Sequence, residues 1–313
     1  MVFRLISRNL APLTLAGAVA AFLYPPAFLV FEGIFLGLFA ATMFCLGLVL
    51  DPEEARSAWT RPGRIGLGVA TQYLLMPALA FGAALLVKHS GGSPALALGF
   101  IVVGAAPGAM ASNVVVFLAG GAVAYSVAVT TLATFLAPLL TPWLVQTLGG
   151  HFLPIPFWPM MQTILLTVVV PLGAGMLARP RLGRARRWAE EAAPAVAAVA
   201  IAIICAYAMA ANADRIAAVG PGVLGLVVAL NALGYLGGWG LGRLYRFDAR
   251  HRMTLAIEIG MQNAGLGVAL ALAHFEAEAA LPGALFAVWC ILTAAGATAY
   301  LRRRGPGWEE VPV

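Results

Sequence analysis

Glu258 is the fourth of eleven residues, 255–265, reading Leu-Ala-Ile-Glu-Ile-Gly-Met-Gln-Asn-Ala-Gly, between apolar runs long enough to cross a bilayer. The other twelve acidic residues fall in loops or near segment ends. A carboxylate at membrane depth is costly and marks an ion or substrate pathway unless it is protonated and holds two helices together. Its neighbours favour the pathway. Gln262 and Asn263 offer amide oxygens, and Gly260 and Gly265 let the helix unwind. Hard cations take oxygen ligands. One carboxylate among several neutral oxygens suits a monovalent ion such as sodium, whereas a divalent ion would want more charge.

A second polar interruption lies at residues 104–113, Gly-Ala-Ala-Pro-Gly-Ala-Met-Ala-Ser-Asn. Pro107 removes a backbone donor and Gly108 tolerates unusual dihedrals, so unwinding is expected. Unwound backbone in a bilayer must be buried in protein or line a cavity, where carbonyls can hold a cation and helix N-termini an anion. The alternative here is a kinked span without a site. Ser112 and Asn113 add side-chain oxygens. Ser126 and Thr130, four residues apart, share one helix face, although such hydroxyls also bond their own backbone. Gln72 is an amide in mid-span, a ligand or a contact between helices.

These residues need a membrane scaffold. The 313 residues are 62% hydrophobic and 10% charged, where soluble domains carry about 25% charge. The net charge of +6 does not signal nucleic acid, because the arginines sit at the ends of apolar segments, where they encode topology. Ten spans are expected, at about 10–24, 29–50, 64–87, 95–119, 122–148, 160–177, 191–211, 221–244, 250–274 and 280–301, with the fourth and ninth interrupted. With the N-terminus inside, 17 of the 19 basic residues fall on the cytoplasmic side, and only Lys88 and Arg215 fall outside. The expected protein is an all-α polytopic membrane protein of the cell inner membrane, in contact with lipid, with both termini cytoplasmic. The N-terminal apolar run is read as the first span, retained and not cleaved.

Five spans precede residues 151–159 and five follow. An odd number per repeat inverts the second copy, giving repeats at 1–150 and 151–313. Local echoes agree: Pro62-Gly63 opens the third span and Pro221-Gly222 the eighth, each with an amide ten residues on, Gln72 and Asn231. Matching interrupted segments in two halves point to a transporter's binding site. Cys45, Cys205 and Cys290 lie inside apolar segments without ligand spacing and read as small buried residues. The sequence shows no nucleophile–base pair, phosphate loop or paired aspartates, so it does not read as an enzyme.

Taken together, four stretches resemble the bile acid:sodium symporter family, including its bacterial members. They are residues 107–113, Pro-Gly-Ala-Met-Ala-Ser-Asn; 126–130, Ser-Val-Ala-Val-Thr; 136–142, Leu-Ala-Pro-Leu-Leu-Thr-Pro; and 258–266, Glu-Ile-Gly-Met-Gln-Asn-Ala-Gly-Leu. The resemblance implies a panel of spans one, two, six and seven beside a core of spans three to five and eight to ten, where the broken helices cross. It implies two sodium sites. The first would use Ser112, Asn113, Ser126, Thr130 and Glu258. The second would use Gln72, Glu258, Gln262 and the carbonyls of Ile259 and Met261. Substrate, a small organic anion such as a bile-acid-like or pantoate-like carboxylate, would sit between core and panel beside Asn113 and Asn263. Two departures fall on that side. Ala109-Met110 stands where many relatives have Gly-Thr, and Cys290-Ile291 where many have His-Asn. The expected activity is sodium-coupled symport by alternating access. On the residues alone, a proton-coupled or efflux carrier of a related ten-helix family and a non-transporting membrane sensor also remain open.

Overall fold

The computed structural model of the chain describes residues 10–50 and 61–303; the side chains of residues 10–14, 184, 187, 215, 217–220, 291, 294–295 and 297–303 lie outside the description. Arg4, Arg8, Arg56, Arg304, both chain ends and the Ile291 side chain are therefore outside the described residues. Within them the chain is helical, with no strand. Backbone in an apolar surround must satisfy its own donors and acceptors, and helices do so within one segment.

Among the described residues five helical stretches are long and apolar enough to cross a membrane: Pro62–His89, Val123–Gly149, Phe157–Gly183, Trp188–Ala210 and Pro221–Leu244. Shorter apolar helices accompany them. In chain order, α1 is Leu10–Leu23, α2 Phe35–Val49 and α3 Pro62–His89. Next come α4 (Pro94–Gly104) and α5 (Ser112–Leu118), the two pieces of the interrupted fourth segment, and then α6 (Val123–Leu144). The next two are α7 (Phe157–Ile164) and α8 (Val170–Ala178), joined by a π-helical turn. Then follow α9 (Arg186–Ala210) and α10 (Ala213–Leu244). Finally α11 (Ala249–Gly260) and α12 (Ala264–His274) form the interrupted ninth segment, and α13 is Leu281–Arg303.

Local chemistry explains several ends. Ser93 caps α4 by accepting from the Leu96 amide at 3.1 Å, with Pro94 following in the first turn. Asp248 caps α11 through the His251 amide at 3.0 Å, and Asn263 caps α12 through the Leu266 amide at 3.1 Å. Some boundaries differ from expectation. Pro221 lies inside α10, because the helix begins eight residues earlier at Ala213. The second segment is helical only from Phe35, after a single turn at Pro26–Leu29. Gly265 lies inside α12, not in the break, which spans only residues 261–263. At Gly265 an added Cβ would meet Phe39 at 3.3 Å, so the missing side chain serves a helix contact.

α9 packs along α1 and α2, and α8 along α2. The α2–α8 contact is a backbone approach: a Cβ on Gly47 would lie 2.2 Å from the Leu172 carbonyl oxygen, and one on Gly175 2.2 Å from that of Phe44. Small residues at such crossings let apolar helices gain contact without a hydrophobic driving force. Elsewhere α10 lies against α3, α11 and α13, and α3 against α4 and α6. The two interruptions meet among these last helices.

Candidate functional site

The breaks at residues 105–111 and 261–263 pair with each other. The Ala109 amide donates to the Met261 carbonyl at 2.8 Å, and the Asn263 amide donates to the Pro107 carbonyl at 2.8 Å. Gly108 and Gln262 thereby form an isolated antiparallel bridge. Two further carbonyls of the first break also find donors. Thr141 Oγ1 donates to Ala105 at 2.8 Å, and Gln72 Nε2 donates to Ala106 at 3.0 Å. Asn231 Nδ2 donates to the Gly260 carbonyl at 2.9 Å. Irregular backbone this deep persists only when its polar groups find partners, and these hydrogen bonds supply them at Ala105, Ala106, Pro107, Ala109, Gly260, Met261 and Asn263.

Beside the bridge stands Glu258, 1% exposed, on the last turn of α11. Ser112 Oγ, at the start of α5, donates to its Oε1 at 2.6 Å. Thr130 Oγ1 on α6 donates to Oε2 at 2.6 Å, and Ser126 Oγ, one turn earlier, contacts Oε1. Ser126 Oγ also lies 2.7 Å from Asn113 Oδ1, while Thr130 Oγ1 lies 3.5 Å from that atom and 2.9 Å from the Ser126 carbonyl. Three hydroxyl protons thus face six oxygen–oxygen approaches. Each hydroxyl has one proton to give, so with Glu258 ionised and Asn113 Oδ1 facing Ser126 some lone pairs face each other. A cation resolves that surplus by taking lone pairs that no proton can serve. All five residues expected at the first sodium site lie in this cluster.

The second expected group is assembled differently. Gln72 Nε2 donates to Gln262 Oε1 at 2.7 Å, and Gln262 Nε2 donates to the Ile259 carbonyl at 2.7 Å. The Ile259 and Met261 carbonyls each already accept one hydrogen bond, which leaves each a second lone pair. Gly108 joins the two groups. The three atoms nearest a Cβ built there are oxygens: Glu258 Oε2 at 3.2 Å, the Glu258 carbonyl at 3.5 Å and Gln72 Oε1 at 3.9 Å. The absent side chain leaves a small space that the carboxylate and the amide both border.

The substrate-side residues divide. Asn113 and Asn263 are both at the crossing, the first half-buried and the second holding the start of α12. Met110 and Cys290 are buried in the apolar core, with Cys290 Sγ 3.5 Å from the Ala287 carbonyl. Two supports were missed in the sequence. Thr141 ties down the first break. Thr254 Oγ1, one turn before Glu258, accepts from the Ala122 amide at 2.8 Å and fixes the turn into α6. Its position four residues before Glu258 was the available signal.

The profile of the sodium bile acid symporter family matches residues 35–219, more than half of the chain. The chain belongs to the sodium bile acid symporter family. Its relatives include the uncharacterized sodium-dependent transporter YocS of Bacillus subtilis (strain 168), 37% identical over 276 residues, covering 87% of this chain and 84% of the relative. The probable sodium/metabolite cotransporter BASS1, chloroplastic, of Oryza sativa subsp. japonica is 32% identical over 304 residues, 96% of this chain and 72% of the relative. Its Arabidopsis thaliana counterpart is 33% identical over 234 residues, 75% of this chain and 58% of the relative. Membership of this family, together with the apolar helices, makes the chain a multi-pass membrane protein.

Proposed function

We propose that the protein is a sodium-coupled symporter of a small organic anion. The observation that carries this reading is the oxygen cluster around Glu258, where two interrupted helices cross and lone pairs outnumber the protons available to them. Sodium bound there neutralises the carboxylate and fixes α5 and α11 relative to α6. Sodium therefore favours the state in which the breaks are ordered. An anion that prefers that state binds more tightly with sodium present, and by linkage sodium binds more tightly with the anion present. The relatives named as sodium-dependent transporters or sodium/metabolite cotransporters support the same ion.

In this reading two sodium ions bind, the first at Ser112, Asn113, Ser126, Thr130 and Glu258. The second takes Gln72, Glu258, Gln262 and the carbonyls of Ile259 and Met261. The anion sits beside Asn113 and Asn263, where the N-termini of α5 and α12 favour a carboxylate. Ten spans in two inverted repeats, 1–150 and 151–313, carry the sites across the inner membrane, with both termini cytoplasmic. The packing of α8 and α9 on α1 and α2 supports a panel that moves as one body against the remaining helices. Alternating access follows from that movement.

The test is uptake of labelled small carboxylates, bile-acid-like and pantoate-like, into proteoliposomes under an inward sodium gradient. An equal potassium gradient is the control. Uptake only with sodium is expected. Carriage of cations or neutral amines alone would remove the organic-anion assignment, and equal uptake in potassium would remove the coupling.

A further inference from the structure

A cavity of about 420 Å³ opens where three helices begin: Arg61, Arg64 and Ile65 at the start of α3, residues 122–125 at the start of α6, and His251 in the first turn of α11. None of its lining residues belongs to the sodium or substrate groups described above. Its volume is in the range that holds a small ligand. We propose that this cavity binds a phosphate-type oxyanion, either free in solution or presented as the headgroup of an anionic phospholipid.

The lining selects that chemistry. Arg64 pairs with Asp248 at 3.6 Å and is held over the Phe247 ring at 5.5 Å. His251 also contacts Asp248, at 2.7 Å, so one carboxylate is shared between two basic groups. Arg64 Nη1 and His251 Nε2 are 3.5 Å apart, and Arg61 is exposed and pairs with no carboxylate among the described residues. Among the described residues the basic groups thus outnumber the single acid beside them. The helix starts add to this. First-turn amides have no acceptor within their own helix, and α6 has no side-chain cap. Their dipole end is positive, and an oxyanion accepts from such amides and from guanidinium groups together. Tyr125, on the cavity wall, is 5% exposed, and its buried hydroxyl has no partner among the described residues. That hydroxyl lies against Gly68 of α3, where a built Cβ would meet it at 2.5 Å, so it is the Tyr125 ring that walls the cavity.

A lipid source fits the cavity's place at helix ends. Arg243, Arg246, Arg250 and Arg252 all lie within five residues of Asp248 in the sequence. Basic pockets between membrane helices at that level take anionic headgroups. A free anion would bind the same donors from the aqueous side.

The test uses the purified full-length chain in sodium-free potassium buffers, which makes it independent of the sodium reading. Unfolding temperature is measured in potassium phosphate and in potassium chloride of equal ionic strength. It is also measured in phosphatidylcholine nanodiscs with and without phosphatidylglycerol. A rise of about 2–4 °C with phosphate, or with phosphatidylglycerol, is expected from saturating binding. A response to phosphate identifies a free-anion source, and a response to phosphatidylglycerol alone identifies a headgroup. Arg61→Glu should remove most of the rise while leaving the unfolding temperature in chloride unchanged. Arg64→Gln, which keeps a polar side chain, is the second variant. Equal unfolding temperatures within both pairs of media, or a full rise retained in both variants, would overturn the assignment.

Discussion

Gly108→Ala isolates the ion site from the fold. Gly108 is not among the residues with positive φ, so alanine meets no backbone strain there. The nearest contact of the new methyl, 3.2 Å to Glu258 Oε2, asks the carboxylate to give by a few tenths of an ångström. Overpacking of this kind costs about 1–3 kcal/mol, and the low end applies where the neighbour is a side-chain terminus. The effect on sodium is larger in proportion. The methyl takes the space that Glu258 Oε2 and Gln72 Oε1 both border, so a cation loses contact with one of them. Losing one interaction with a charged partner costs about 1.5–3 kcal/mol, which is at least a tenfold loss of affinity. At a sodium concentration 100-fold above Kd, binding stabilises the parent by about 2.7 kcal/mol; with Kd tenfold weaker the figure is about 1.4 kcal/mol. The difference lowers the sodium-induced rise in Tm by about 2–3 °C. The assay is thermal unfolding of parent and variant across a sodium titration, with potassium holding ionic strength constant. A variant that keeps the parent's sodium dependence would refute the assignment of that space to a cation.

Other consequences follow from the same geometry. Ser126→Ala removes a hydroxyl shared by Glu258 and Asn113 and should weaken sodium binding by about 1 kcal/mol, roughly fivefold, read from the same titration. Cysteine probes at Gly91 and Ala277 should react with an impermeant reagent from outside intact cells, and one at Gly183 should not; outside labelling at Gly183 would overturn the ten-span topology. Burial alone would raise the Asp248 carboxyl. The hydrogen bonds from His251 and the charges of His251 and Arg64 outweigh it and hold the group below its ordinary value. A lowered folded pKa gives stability that is present above about pH 4 and lost as pH falls through the folded value. The Tm advantage of the parent over Asp248→Asn should therefore be full at pH 6 and shrink below pH 4, and an advantage independent of pH would show that the charge contributes nothing.

Much of the proposed ion site was legible because its residues break local rules. Glu258 violates the polarity of its segment, and Pro107-Gly108 violates helix continuity, so each is visible in a short window. Spacing puts Ser126 and Thr130 on one helix face but leaves open whether they bond their own backbone, and only the resemblance gives them a ligand role. The extent of the second break was not legible. Gly265 suggested more unwinding than occurs, because Asn263 caps α12 and restarts the helix two residues earlier. The π-helical turns at Val145–Gly149 and Leu165–Val169 also left no local mark. They insert a residue into a turn without changing which residue types are apolar. Thr141 and Thr254 carry no local mark of a partner in the sequence, and only the tertiary approach of Ala105 and Ala122 gives them these partners. The Arg61, Arg64, Tyr125 and His251 cavity draws on three segments separated by tens of residues. In the sequence those arginines report topology, and only the fold brings them to one place.

The central claim is that Glu258 binds the coupling ion. Equilibrium binding of radiolabelled sodium to the purified protein, measured for the parent and for Glu258→Ala, tests it most directly. The account predicts saturable binding in the parent, competed by unlabelled sodium and not by potassium. It also predicts loss of that binding in Glu258→Ala, because the substitution removes a carboxylate ligand common to both sites. Saturable sodium binding of unchanged affinity and amount in Glu258→Ala would contradict it and place the ion elsewhere.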